Sequence, residues 1–431
     1  MKSGAKMDLT MKQIKMFFQE RSLEGIKPGL KRMKQLLSFV DNPEKDVEFI
    51  HVTGTNGKGS TVQYIKQGLL ANQINVGAFI SPSIAGLRGH IWKDNEYISE
   101  EEFTSLFQEI YPKIVQMDKE GNQPTEFEIL TTIAFMYFKK YVKLAIIETG
   151  MGAKGDTTNV IEPLISIITN ISVDHTNFLG QSIEEISKEK SGIIKTNKPV
   201  ITGVTDDRSL SILNEKARLK SAPIIRYEEH FIIQNIQIYK EDLFYELNYQ
   251  EQTYPVQLDA KGIYQINNSA LAIVSLVELQ RQGFPISIQT VLEHIRTVNI
   301  KGRFDIIRQN PLVIVDGAHN VAGIQAFLKT VNHRYNNEHK TLIFSAFKDK
   351  QIEEMLTILL PHFDEVILTS FHHPRAATKE MLCSMIEVEN RRVNFQTIKK
   401  IIKNIQDNHK QTTYFCTGSL FFIKIIQNYL K

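Results

Sequence analysis

The chain has 431 residues, 42% hydrophobic and 23% charged, with 51 basic against 48 acidic residues and a formal net charge of +3. That length exceeds what a single core usually serves, so two domains are expected, and the near-balance of charge excludes the strong positive field of a nucleic-acid binder. Two cysteines, Cys383 and Cys416, make neither a disulfide framework nor a CxxC metal pattern, which suits a reducing, cytoplasmic setting.

The first twenty residues are amphipathic and charged, without the apolar stretch of a signal peptide, and no run of about eighteen apolar residues occurs, so no membrane span is expected. The apolar run Phe49-Ile50-His51-Val52 then reads as a strand. It ends in Thr53-Gly54-Thr55-Asn56-Gly57-Lys58-Gly59-Ser60-Thr61, and a helical pattern on Val62, Ile65, Leu69 and Leu70 follows. Strand, glycine loop and helix N-terminus in that order make a phosphate cradle. Backbone N–H groups converge, the helix dipole adds positive potential, and Lys58 adds a full charge. Gly54 through Thr61 are therefore the candidate triphosphate-binding residues: Gly54, Thr55, Asn56, Gly57, Lys58, Gly59, Ser60 and Thr61. The spacing departs from the common P-loop, since Val52 stands at the place of its first glycine and Gly59 follows Lys58, delaying the hydroxyl to Ser60. A plain glycine-rich turn before a helix is the competing interpretation.

Residues 76–80, 144–147 and 164–168 are short, apolar and β-rich, and read as buried parallel strands. Helical spacing lies between them, for example at 128–140, so the first domain is expected to be an α/β, doubly wound, mostly parallel sheet of the P-loop type. Residues 231–258 alternate instead (Ile233, Ile236, Ile238, Phe244, Leu247, Tyr254) and read as a small attached antiparallel sheet. Helical patterns at 264–282 and 288–298 precede a second βαβ series at 312–315, 341–347, 365–370 and 413–416. The boundary is placed near 299–302, giving an N-terminal domain over 1–298 and a smaller Rossmann-like α/β domain over 299–431. A linker this short makes the two touch and hinge, and clefts between domains are where ligands bind.

Four motifs stand at strand or helix ends, where such sheets carry their sites. Ser81-Pro82 follows the strand ending at Ile80. Glu148-Thr149-Gly150-Met151-Gly152 follows 144–147. Asp174-His175-Thr176 with Leu179-Gly180 follows a strand expected to end near Ile171, and Glu189-Lys190-Ser191-Gly192-Ile193 closes a short helix. Each alone is as readily a cap or a surface group. Together they set a hydroxyl, a carboxylate and an imidazole beside a triphosphate, a donor set for Mg²⁺ shared with phosphate.

With these motifs in order, the chain resembles the folylpolyglutamate synthase / dihydrofolate synthase family of the Mur ligase superfamily almost end to end. The resemblance takes in Gly25-Ile26-Lys27-Pro28-Gly29-Leu30, the phosphate loop, the four motifs above with Glu148 to Asn159, Gln265 and Asn268, Gly302-Arg303-Phe304, Asp316-Gly317-Ala318-His319-Asn320, Pro374-Arg375-Ala376 and Thr417-Gly418-Ser419-Leu420. It implies a cytoplasmic, monomeric ligase that uses ATP and two Mg²⁺ to convert a carboxylate of a folate-like acceptor into an acyl phosphate, which the amine of L-glutamate attacks. Phosphorylation supplies the leaving group, so catalysis is positioning and charge neutralisation. No nucleic-acid or membrane partner is implied.

Carried over by position, Lys58, Glu148, His175 and Lys190 are the implied catalytic set. Ser81 and Glu148 would hold one Mg²⁺, and Glu148 with His175 the other. Gln265 and Asn268 lie on the adenine side, Arg303 at the linker, and Asp316 and His319 on a loop reaching ATP across the cleft. Ser83, Lys154, Asp156, Arg375 and Ser419 fall on the substrate side. Lys190 matches a lysine that is carbamylated by CO₂. An ammonium about 4 Å from a dication would repel it by several kcal/mol even at an effective dielectric of ~20, whereas a carbamate offers a negative oxygen. Read without the resemblance, Lys190 is a lysine at a helix end facing the dipole.

The acceptor side departs from the family. Ser81-Pro82-Ser83-Ile84 leads to Arg88-Gly89-His90-Ile91, with Gly89 and His90 where Glu and Arg are usual. Lys154 replaces Arg, Tyr264 replaces His, Lys301 replaces Pro before Gly302, and Val321 replaces Pro after Asn320. Two alternatives therefore stand beside folate glutamylation: a paralogous ligase acting on another carboxylate, and a non-catalytic nucleotide-binding protein.

Overall fold

The computed structural model describes residues 9–83, 85–239, 242–385, 392–408 and 412–430; Ile84 and the first eight residues of the amphipathic N-terminus lie outside these. The apolar runs become strands because each can bury both faces of its pleat. The first sheet contains β1 (Glu48–Thr53), β2 (Val76–Phe79), β3 (Ile91–Lys93), β4 (Glu96–Tyr97), β5 (Leu144–Glu148), β6 (Ile165–Ile168), β7 (Val200–Thr202) and β8 (Ile224–Arg226). Their order is β4-β3-β2-β5-β1-β6-β7-β8; the six from β2 to β8 in that order run parallel, and β3 and β4 form an antiparallel edge. β1 lies at the centre, paired with β5 on one side and β6 on the other.

Alternation on β1 feeds two layers. Ile50 and Val52 join a core with the helices Lys58–Ala71 and Gln265–Arg281, while Phe49 joins a separate core under the helix Glu126–Tyr141. Side chains of this kind stabilise by roughly 1.5–3 kcal/mol each when fully buried. The alternating segment 231–258 forms β9 (Phe231–Tyr239), β10 (Asp242–Tyr249) and β11 (Gln252–Leu258), a three-stranded antiparallel sheet whose inward Tyr245 and Leu247 extend the first of these cores.

The C-terminal lobe is a six-stranded sheet of order β12-β13-β17-β14-β15-β16, built from β12 (Asp305–Gln309), β13 (Leu312–Val315), β14 (Lys340–Phe344), β15 (Glu365–Leu368), β16 (Val393–Phe395) and β17 (Thr413–Thr417). It is parallel except for β12. Several strands stop short of their expected ends. Pairing of β6 ends at Ile168 rather than near Ile171, β14 at Phe344 rather than 347, and β15 at Leu368 rather than 370. Beyond β6 the released residues Thr169, Asn170 and Ser172 bond to Thr55 and Asn56 of the loop after β1 instead. Among the described residues no helix is long and apolar enough to cross a membrane.

Candidate functional site

The phosphate loop fills the turn from β1 into the helix Lys58–Ala71. Gly54 (φ +148°) and Gly57 (φ +84°) hold backbone conformations that a side chain resists. A Cβ at Gly54 would overlap Thr169 Oγ1, and one at Gly57 the side-chain oxygen of Asn268. The loop is clamped by residues just beyond β6, which the sequence reading did not single out. Asn170 Oδ1 accepts from Asn56 N–H (2.9 Å), and Thr169 Oγ1 (2.6 Å) and Asn170 Nδ2 (3.0 Å) donate to Asn56 O. Thr55 Oγ1 exchanges hydrogen bonds with the Ser172 backbone at 3.0 and 3.1 Å. Their signal was positional: they follow a central strand on the loop's side of the sheet. Lys58 Nζ donates to Gly54 O (3.0 Å) and Thr55 O (3.2 Å), so the ammonium lies within its own loop; burial lowers its pKa, while Glu148 and Asp174 raise it.

Glu148 ends β5, next to β1, with its carboxylate buried beside the loop. Its Oε2 accepts from Ser81 N–H at 3.3 Å and lies 3.4 Å from where a Cβ on Gly59 would stand. Burial pushes this carboxyl up to about 7 against the pull of Lys58. On the other side of the loop a small cleft of about 20 Å³ is lined by Lys58, Met151, Asp174, His175 and Lys190, among others. Lys190 is the last residue of the helix Ile183–Lys190 and is buried; burial first, and Lys58 second, push its amine down to about 7. Among the described residues no three His, Cys, Asp or Glu side chains converge to hold a metal by themselves.

Asp174 sits where the lobes meet. It accepts from Lys350 Nζ at 2.5 Å and from Asn320 Nδ2 at 2.9 Å, and His175 Nε2 and His319 Nε2 lie 3.8 and 3.7 Å from it. Burial would raise its pKa, but Lys350, His175 and His319 hold the carboxyl well below the usual range. Both imidazoles are pushed down to about 4, chiefly by burial, and are neutral near pH 7. Asn320 also exchanges side-chain hydrogen bonds with Asn56 (3.0 and 3.1 Å), so the loop 316–320 grips the phosphate loop from the opposite lobe. Asp316 is anchored by Tyr264 Oη (2.5 Å) and by the N–H groups of Phe304 (2.9 Å) and Ala318 (2.8 Å).

Gln265 and Asn268 are buried and bonded to each other at 2.9 Å, with Gln265 Nε2 3.5 Å from Ser60 Oγ. Gln265 and Arg303 line a cavity of about 250 Å³ between the lobes, together with Tyr64, Asn299 and Phe304. The structure thus brings the loop, His175 and Lys190 to one small cleft with Glu148 buried beside the loop, sets Gln265 and Arg303 on a second cavity between the lobes, and ties the 316–320 loop to both Asn56 and Asp174.

The residues expected on the substrate side are more scattered. Lys154 is exposed, and Ser83 Oγ accepts from Ala85 N–H (3.1 Å) in a surface turn. Asp156 is buried, with its oxygens taken by Met151 N–H (2.8 Å), Thr158 N–H (2.9 Å) and Thr158 Oγ1 (2.5 Å), so it holds the chain rather than facing the cleft. Ser419 is buried at the start of the helix Leu420–Leu430. Arg375 lies over the Phe347 ring (4.6 Å) in a bidentate pair with Asp349, next to Lys350 in sequence. Lys350 itself was missed: nothing in its spacing marks a loop lysine that reaches another lobe.

The chain matches the Mur ligase middle domain over residues 52–276 and the Mur ligase glutamate ligase domain over residues 302–420. It is 36% identical to a dihydrofolate synthase/folylpolyglutamate synthase of Bacillus subtilis, covering 94% of this chain and 96% of that protein. It is 32% identical to a probable dihydrofolate synthetase of Schizosaccharomyces pombe, over 94% and 99% of the two chains. Its structure superposes on a Mycobacterium tuberculosis folylpolyglutamate synthase solved with ADP and AMPPCP, with a TM-score of 0.89, 26% identity and 97% coverage of both chains.

Proposed function

We propose a reaction for this chain from the premise that it belongs to the Mur ligase superfamily and, within it, to the folylpolyglutamate synthase / dihydrofolate synthase family. The enzyme is an ATP-dependent acid–amino-acid ligase that adds L-glutamate to a carboxylate of a folate-like acceptor. An acceptor carboxylate oxygen bonds to the γ-phosphorus as the bond to ADP breaks, giving an acyl phosphate. The glutamate amine attacks the acyl carbon and loses a proton, the bond to phosphate breaks, and an amide and phosphate leave. The observation that carries this reading is the buried Glu148 carboxylate set against the Lys58 loop, with Asp316, His319 and Asn320 closing on that loop from the other lobe.

The donors fit a hard divalent cation. Glu148 is a buried carboxylate whose one hydrogen-bond donor among the described residues is the Ser81 amide, which leaves acceptor capacity for a cation, and serine and carboxylate oxygens suit Mg²⁺. Ser81 and Glu148 would hold one Mg²⁺, and Glu148 with His175 a second. Bound with the phosphates, Mg²⁺ neutralises charge as it develops on the transferred group. The chain's own residues do the rest. Lys58 and the loop N–H groups orient the triphosphate, while Gln265, held by Asn268, and Arg303 line the interlobe cavity that receives the nucleoside. Lys190 is assigned as a carbamate: a buried amine pushed down to about 7 is substantially unprotonated near neutral pH, as addition to CO₂ requires. The protein acts as a monomer of two domains, 1–298 and 299–431, that hinge at the linker.

The test is ADP release in the presence of a pteroyl acceptor and L-glutamate, with the product weighed by mass spectrometry. Dependence on both, and a product heavier by one glutamyl residue, are expected. AMP with pyrophosphate as products, or ATP turnover needing neither substrate, would sink the reading. A different acceptor acid is kept as a second reading for one reason: Gly89 is packed so that a Cβ would overlap Ser83 Oγ and Ala85, which leaves no space for the family's glutamate at that point. Dihydropteroate, reduced folates and unrelated acids offered side by side decide between the two.

A further inference from the structure

His51 is an unusual occupant of the central strand. It is fully buried in β1, between Ile50 and Val52, and its Nδ1 has no hydrogen-bond partner among the described residues. Leaving a buried ring nitrogen unpaired is unfavourable, and an apolar residue would avoid it. The other nitrogen is engaged: Nε2 lies 2.9 Å from Thr158 Oγ1. The Asp156 carboxylate beyond Thr158 fixes the roles along this contact. Thr158 has one hydroxyl hydrogen, and its Oγ1 is 2.5 Å from Asp156 Oδ1, which also accepts Thr158 N–H at 2.9 Å. With the hydroxyl donating to the carboxylate, His51 Nε2–H donates to the hydroxyl. Burial keeps the ring neutral, so its single proton is on Nε2 and Nδ1 is left bare.

Asp156 passes the order on. Its Oδ2 accepts Met151 N–H at 2.8 Å. Met151 and its neighbours Gly150 and Gly152 line the small cleft beside Lys58, His175 and Lys190. Thr53 Oγ1 holds the same segment from β1 by donating to Gly152 O at 2.6 Å. The 150–152 turn is therefore pinned at two points, and one of them traces back through Asp156 and Thr158 to His51. We propose that His51 is a positioning residue for the ligation described above, acting through Thr158 and Asp156 to fix the backbone of residues 150–152 at the reacting cleft. The proposal rests on that reading of the reaction and places no substrate on His51.

The test uses the full chain with Thr158→Val, Thr158→Ser, His51→Leu, His51→Gln and the double variant His51→Leu/Thr158→Val. Outer-shell partners of this kind change activity by about 10–100-fold when removed, so Thr158→Val and His51→Leu should each lower kcat by that order. The KM for ATP should stay within about twofold, since the loop that binds it is held by other residues. Thr158→Ser, which restores the hydroxyl, should recover most of kcat, and His51→Gln, which restores an N–H donor, should recover part of it. The double variant should be no worse than Thr158→Val alone, because both cuts fall on one linkage. Hydrogen exchange of the peptide spanning 149–156 reads the same tie without turnover, and should quicken in Thr158→Val and not in Thr158→Ser. Losses that add in the double variant, equal losses in Val and Ser, or unchanged exchange at 149–156 would overturn the proposal. Should Thr158→Val not fold, the His51→Leu and His51→Gln pair decides it by the same readouts. If the wild-type protein makes no amide from acceptor and glutamate, the reaction reading has failed while the exchange result still judges the tie.

Discussion

Replacing Lys350 by methionine tests how firmly the two lobes are joined at the reacting cleft. The Lys350 ammonium is 2.5 Å from Asp174 Oδ1, and both side chains are 6% exposed. At that distance and an effective dielectric of about 20, the attraction is about 7 kcal/mol before desolvation is subtracted. Desolvation consumes much of it in the intact pair, but among the described residues Lys350→Met leaves the buried Asp174 with only the Asn320 amide and the His175 N–H donating to it and no full positive charge beside it, and uncompensated buried charges cost about 3–5 kcal/mol. The sign with pH follows from the depressed Asp174 pKa. The contribution is present above the usual carboxylate range and is lost as pH falls toward the lower folded value, so the gap between wild type and Lys350→Met should begin to narrow below about pH 4 and close only at still lower pH. Urea unfolding is the assay, with far-ultraviolet circular dichroism for the whole chain and fluorescence of the sole tryptophan, Trp92 on β3, for the N-terminal lobe. Asp174→Asn/Lys350→Met should recover at least about half of the loss, a coupling of about 2 kcal/mol or more. Additive losses, or a Lys350→Met variant as stable as wild type at neutral pH, would refute the assignment of an ion pair between the lobes.

Glu148→Gln keeps the shape of the side chain and removes the charge; kcat should fall by about 10²–10³ while ATP affinity changes by less than about tenfold, because the carboxylate matters most as phosphoryl charge develops. Equilibrium binding beside steady-state turnover checks this, and unchanged kcat removes Glu148 from the site. Lys190 carbamylation predicts that turnover after CO₂ depletion recovers on adding bicarbonate, that ¹³C-bicarbonate labels one lysine in the NMR spectrum, and that Lys190→Ala shows neither effect; a wild-type protein indifferent to bicarbonate and unlabelled would dismiss it. Gly89→Glu with His90→Arg, which rewrites the acceptor loop toward the family pattern, should lower stability by about 1–3 kcal/mol and not raise folate turnover above that of the wild type, because the new side chain meets Ser83 and Ala85 and the His90 Nδ1 contact to Ile80 O (2.8 Å) is lost. A stable double variant with raised folate turnover would show that the loop can be rebuilt around the larger residues.

What was legible in the chain was what local sequence determines. β1 and its loop could be read because an apolar run, two glycines that must adopt positive φ and a helical period follow one another without a gap. The antiparallel insert was equally plain, since 231–258 alternates at period two where its neighbours do not. Strand ends were less legible. Beyond β6, residues 169–172 carry apolar and polar side chains that suit another turn of pairing, yet their side chains and backbone bond to Thr55 and Asn56 instead, and a tertiary demand of that kind leaves no local mark. Lys350 is the extreme case: its partner Asp174 is 176 positions away, and only the packing of one lobe on the other brings them together.

Asp156 shows why residue type alone misleads at such a site. A conspicuous aspartate in the loop after β5 invites a role in holding substrate, and the sequence offered nothing against it. The structure spends its acceptor capacity on Thr158 and Met151, so its effect on the cleft is exerted through the backbone it pins and through its charge, which is felt at Lys58, Glu148 and Lys190. Buried polar groups are satisfied before they are free to act, and that accounting depends on neighbours such as His51 and Thr158 that lie 105 and 2 positions from Asp156 in the sequence. The distinction between a residue that touches substrate and one that shapes the floor beneath it therefore appears only when each donor and acceptor has been followed to its partner.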